Sequence, residues 1–187
     1  MDRSLRKTAL GGLFVALGIL VPIMFHAVGL GKTFLPMHIP VLLSAYYCGP
    51  VRAALIGFAT PLLSGVMTGM PPLFPPTAWL MAFELAVYGL IAGLLYDKAR
   101  LGVIPSLLGA MFGGRIVYGL LTFLLFPLLG FDRVPVWAPI AAAFTQSLPG
   151  IILQIGVIPV AVALSHRHPR MVLMFRGDLK QEDESTP

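Results

Sequence analysis

Residues 77–96 read TAWLMAFELAVYGLIAGLLY, a run of apolar residues broken by a single charge at Glu84. At ~1.5 Å per helical residue the stretch is about 30 Å long, which matches the hydrocarbon core of a bilayer. Outward from it, further apolar segments lie at about 8–26, 37–49, 51–68, 104–128 and 138–165. The 187-residue chain is 57% apolar and 11% charged, with mean hydropathy +0.88. A soluble domain needs about 25% charged residues to cover its surface, so water is the wrong solvent for this chain. The expected fold is an all-α integral membrane protein, one six-transmembrane-helix bundle over residues 1–187. A soluble enzyme, a disordered region and a disulfide-rich secreted module are excluded, and no length remains for a soluble nucleotide-binding domain.

The formal charge of +5 comes from bases at span ends. They form no stripe with interleaved aromatics, so nucleic acid is not an expected partner. With six spans and a cytoplasmic N-terminus, Arg3, Arg6, Lys7, Arg52, Lys98, Arg100, Arg167, Arg170, Arg176 and Lys180 fall inside. Only Lys32 and Arg133 fall outside. That bias follows the positive-inside rule and predicts a multi-pass cell-membrane protein with both termini cytoplasmic and a solvated tail at about 167–187. The basic start could precede a signal peptide, but residues 8–25 exceed a usual signal core, so the segment is read as a retained first helix. Cys48 stands alone, which removes an internal disulfide and a Cys-based metal site. No metal or cofactor is expected.

Irregularities punctuate the spans. The second is short and opens with Pro36-Met37-His38-Ile39-Pro40, and Gly49-Pro50 separates it from the third. Pro61 in the third predicts a kink or a break. The connection at 68–76 holds four prolines and no charge, and should be stiff and close to the membrane surface.

Two ionisable residues fall within spans, Glu84 and Arg115. Hydrocarbon makes each cost about 2.5–3.5 kcal/mol on insertion scales, which marks them for function or pairing. Glu84 lies roughly 10 Å below the outer end of its span, and Arg115 about 16 Å from the inner end of its own. Tyr88 shares a helix face with Glu84, and Tyr118 and Thr122 follow Arg115 at helical spacing. The last span adds Gln146, Ser147 and Gln154. Together with His38 and Trp79 at span entrances, these side chains outline a polar, aromatic-edged interior suited to a polar solute. In that reading Arg115 faces a carboxylate or phosphate, and Glu84 accepts from hydroxyl or ammonium groups. The plainer alternative is an ion pair that only joins two helices.

Other features carry less. Gly31-Lys32-Thr33 mimics the end of a phosphate-binding loop, but position 26 is His26 rather than the required glycine. His166, Arg167, His168 and Arg170 suit anionic lipid headgroups at the inner face. No metalloprotease helix, nucleophile elbow or aspartate pair occurs. Ala9, Gly12 and Ala16 form a smooth stripe on the first helix, able either to admit a partner helix or to pack inside the bundle.

The chain resembles the substrate-binding S component of an energy-coupling factor (ECF) vitamin transporter over about residues 5–170. The resemblance rests on the span number, the first-helix stripe and Phe34-Leu35-Pro36-Met37-His38-Ile39-Pro40-Val41. It rests also on Gly49-Pro50, on Thr60-Pro61-Leu62-Leu63-Ser64 and on Thr68-Gly69-Met70-Pro71-Pro72. It implies a vitamin-class solute bound near the outer face and gated by the loops at about 26–36 and 69–77. It also implies a transmembrane T component and two cytoplasmic ATPases as partners. The family's Ala-x-x-x-Ala pair, which meets the T component, corresponds here to Gly12 and Ala16. Arg115 favours a carboxylate-bearing solute such as pantothenate, with cobalamin, folate and lipoate as alternatives. Two other classes stay open at this point: a small intramembrane enzyme acting on lipid or isoprenoid substrates, and a ligand-free membrane scaffold.

Overall fold

The computed structural model describes residues 3–27, 29, 31–74, 76–130, 135, 137–138, 141, 145 and 148–167. Its helices are α1 (Arg3–Ala27), α2 (Gly31–Phe34), α3 (His38–Cys48), α4 (Pro50–Thr68), α5 (Thr77–Gly93), α6 (Val103–Leu128) and α7 (Leu148–Arg167). A π-helical turn, Leu94–Lys98, extends α5. No strand occurs among the described residues. Among the described residues five helices are long and apolar enough to cross a membrane, namely α1, α4, α5 with its π turn, α6 and α7.

The segment at 37–49, expected as a short span, is not one of the five. As α3 it has 11 residues, so it measures ~16 Å, about half the hydrocarbon thickness. The chain before it turns instead of spiralling. Leu35 takes φ +48°, and the His38 amide donates to the Leu35 carbonyl at 3.0 Å. Pro36 and Met37, on the way in, are already buried. Such irregular backbone survives at membrane depth only inside protein, and α3 accordingly buries His38, Val41, Leu42, Ala45, Tyr46 and Cys48. The segment expected from 138 is described as α7 from Leu148, and most of 139–147 lies outside the described residues.

Side-chain neighbours fix the helix directions. Gly11 lies beside Ile56 and Gly18 beside Thr60, so α1 and α4 are parallel. Gly57 meets Leu85 and Gly89 meets Ala53, so α5 returns antiparallel to α4. Gly109 meets Leu95 and Gly113 meets Ile91, so α6 reverses again. Tyr47 near the end of α3 donates to Ser165 Oγ near the end of α7 at 2.9 Å. Although short, α3 therefore carries the chain back, and α1 begins at the same end where α7 finishes. That end, with Gly49 and Lys98, is called the near end below. The far end gathers Ala27, Thr68, Thr77 and Leu128.

Close backbone approach holds the centre together. A Cβ on Gly89 would fall 2.5 Å from the Ala53 carbonyl, so only glycine admits α4 this near to α5. Half of the apolar window of α5 is buried, against 28% for α1 and α7, which makes α5 the central helix. Outer faces are apolar instead: Leu13, Leu55, Phe83, Phe112, Leu124 and Ile152 are all exposed. In a bilayer those side chains face a solvent as apolar as themselves. Of the kink or break expected at Pro61, the break does not occur. α4 runs through it, with the ring buried and the Gly57 carbonyl deprived of its usual helical donor.

At the far end the proline-rich connection folds back onto the end of α4. Gly69 caps α4 at φ +74°, with its amide donating to the Gly65 carbonyl at 3.0 Å. Ser64 Oγ donates to the Met70 carbonyl at 2.6 Å, and the Ala78 amide to the Pro72 carbonyl at 3.0 Å.

Candidate functional site

Inside this frame, α5 and α6 bring the two intramembrane charges together. Arg115 Nη1 lies 2.8 Å from Glu84 Oε1, and both side chains are almost fully buried. Tyr88, one turn on from Glu84, donates to the same carboxylate oxygen at 3.2 Å. From α3, His38 places Nε2 3.9 Å from Glu84 Oε2, beyond hydrogen-bond length. Its ring meets Tyr88 edge-on, with centroids 5.4 Å apart. Tyr118, half-buried on α6, lies within electrostatic reach of both charges. Thr122 spends its hydroxyl on the Tyr118 carbonyl at 2.8 Å.

Why the pair sits here follows from the helices. A charge is least costly where protein replaces lipid, and α5 is the most enclosed span. Gly114, next to Arg115, makes the contact possible, since a Cβ there would overlap the Tyr88 ring. Sequence inspection singled out Glu84, Arg115 and Tyr88 but not Gly114. A glycine in an apolar run carries no visible signal until its neighbour across the interface is known. The short α3 explains His38: the chain dips irregularly from α2, so the first turn of α3 opens at the depth of Glu84.

The remaining expected residues divide. Gln154 is buried on α7, which packs against α3 and α6, and its amide nitrogen has no hydrogen-bond partner. Trp79 does not join the cluster. It is 45% exposed on the outer face of α5, because five residues of helix rotate it away from Glu84. Gln146 and Ser147 lie outside the described residues. In the cluster itself three atoms are buried without a partner: Arg115 Nε and both ring nitrogens of His38. Native interiors leave few such groups unmet, so these atoms offer hydrogen-bonding capacity to a polar solute or water.

Two surfaces complete the picture. A cavity of about 170 Å³ opens at the far end between α1 and α4, lined by Pro22, Ile23, His26, Ser64, Thr68 and Met70. His26 Nδ1 donates to the Pro22 carbonyl at 2.8 Å, and its ring covers Gly31 at the start of α2. Elsewhere on α1 the small-residue stripe points outward: Ala9, Gly12 and Ala16 are exposed, and a Cβ on Gly12 would meet nothing within 4 Å. The inward glycines are Gly11 and Gly18 instead.

A family model described as ECF transporter, substrate-specific component, matches residues 6–162. The chain belongs to that family. No curated protein and no solved structure matches it. An ECF substrate-specific component is a multi-pass membrane protein and the substrate-binding subunit of an importer, not an enzyme. In this ECF component the Glu84–Arg115–His38 cluster holds the only Asp, Glu, Lys or Arg side chains buried among the described residues.

Proposed function

We propose that this S component captures a water-soluble vitamin or precursor in the outer half of its bundle, at the cluster of His38, Glu84, Tyr88, Arg115, Tyr118 and Gln154. The observation that carries the reading is the set of buried, unpartnered groups on Arg115 and His38 beside a central ion pair, with a further one on Gln154 of α7. A purely architectural pair has no need of such neighbours, since every unmet buried group costs about 1–3 kcal/mol. Lysines and arginines concentrated at the near end support a cytoplasmic location for both termini, with the far end outside. In this orientation six passes, the second made by the short α3, place the far-end cavity and the clamped connection after α4 on the route of entry. Delivery inward uses a T component and two cytoplasmic ATPases, and the outward stripe Ala9, Gly12 and Ala16 is the face offered to the T component.

Purified protein in detergent, titrated with a panel of water-soluble vitamins, tests the reading. Saturable binding of one compound at micromolar concentration or tighter, lost in Arg115→Met, is the expected result. A chain that binds none of them at that concentration does not do what is proposed here.

A further inference from the structure

The ion pair leaves the cluster without net charge but with hydrogen-bonding capacity unspent. Glu84 already engages Arg115 Nη1 at 2.8 Å and Tyr88 OH at 3.2 Å. Glu84 and Arg115 are the only Asp, Glu, Lys or Arg side chains buried among the described residues. Paired one to one, the Glu84 carboxylate and the Arg115 guanidinium cancel. The cluster's unmet atoms are mainly donors. They comprise the Arg115 Nε hydrogen and one N–H with one lone pair on the His38 ring.

A carboxylate entering this place would lie beside Glu84, whose negative charge already occupies the guanidinium. No buried Lys and no second buried Arg stands among the described residues to balance it. An uncompensated buried charge is strongly unfavourable even where hydrogen bonds are offered to it. An amide carbonyl or a ring nitrogen meets the same N–H groups without that charge, and each satisfied donor adds to affinity. The two ligand classes therefore differ in sign at this site, not merely in degree.

We infer that the ligand engages the cluster through a neutral, acceptor-rich group, such as an amide, a cyclic urea or a nitrogen heterocycle, and that Glu84 acts as a filter against carboxylates. The inference rests on the ligand-capture reading above, and it reverses the preference for an acid that Arg115 alone suggests. Glu84 is here a specificity-determining residue as well as a structural partner of Arg115.

Matched pairs test it: nicotinate with nicotinamide, biotin with biotinamide, and pantothenate with panthenol, each titrated calorimetrically into the purified protein. Within any pair that binds, the neutral member is expected to bind about tenfold or more tightly. Glu84→Gln leaves Arg115 uncompensated, so in that variant the acid should become the tighter member and give the larger thermal stabilisation. Acid and neutral members bound equally, an acid preferred by the native chain, or no neutral member bound at all, each overturns the inference. In the first two cases the capture reading stands, because a ligand has still been found. Binding of no member of the pairs and no vitamin in the wider panel overturns the capture reading itself. Should Glu84→Gln fail to fold, the comparison in the native chain decides alone.

Discussion

Replacing Arg115 with methionine removes the guanidinium but keeps an unbranched apolar stem between α5 and α6. What remains is Glu84, buried, with only the 3.2 Å hydrogen bond from Tyr88. Two unit charges 2.8 Å apart attract by about 6 kcal/mol at an effective dielectric constant near 20. Part of that offsets desolvation, and removing one partner of a buried pair typically costs about 3–5 kcal/mol. Glu84→Gln, which strands Arg115 instead, should cost a similar amount. The double variant Glu84→Gln/Arg115→Met strands neither charge, so its loss should fall well below the sum of the two, by about 3 kcal/mol or more. Reversible unfolding in mixed micelles, followed by far-UV circular dichroism in the absence of ligand, measures all four corners of the cycle. Losses that add within about 0.5 kcal/mol would refute the pairing, because additivity is the behaviour of sites that do not touch.

The remaining predictions follow from single contacts. Gly114→Leu drives a side chain into the Tyr88 ring, so it should cost about 1–3 kcal/mol by overpacking and weaken ligand binding, both readable by thermal unfolding with and without ligand. Ser64→Ala removes the 2.6 Å hydrogen bond to the Met70 carbonyl. About 1 kcal/mol of local stability should go with it, seen as faster amide exchange in residues 69–74 while α5 and α6 keep their protection. Gly12→Trp and Gly18→Trp separate the two faces of α1, since Gly12 has open space and Gly18 lies against Thr60. The first should leave stability and ligand binding intact yet abolish co-purification with the T component, whereas the second should lower the unfolding temperature of the isolated chain.

Glu84 and Arg115 were conspicuous in the sequence because each interrupts an apolar run, and hydrocarbon makes any such interruption costly. Tyr88 followed from helical spacing alone. Trp79 was misplaced for the opposite reason: an aromatic near a span end fits a site and a lipid face equally well, and only the rotation of α5 distinguishes them. The stripe on α1 was ambiguous in the same way. Small residues permit close approach from either side, and it took the inward position of Gly11 and Gly18 to show that Ala9, Gly12 and Ala16 face out.

By itself, then, the sequence determined the solvent, the helical class and the rarity of buried charge, because these depend on composition and on local 3.6-residue periodicity. It also marked the segment at 37–49 as too short for an ordinary span. Tertiary structure decided what that shortness is for. Enclosed on several sides, α3 can start from irregular backbone at the depth of Glu84, and so delivers His38 to the ion pair. It also decided that the pair is closed on itself, with Arg115 Nε, His38 and Gln154 left unmet. No local rule encodes that arrangement, because it depends on glycines in α4, α5 and α6 meeting backbone and rings across helix interfaces far apart in the chain.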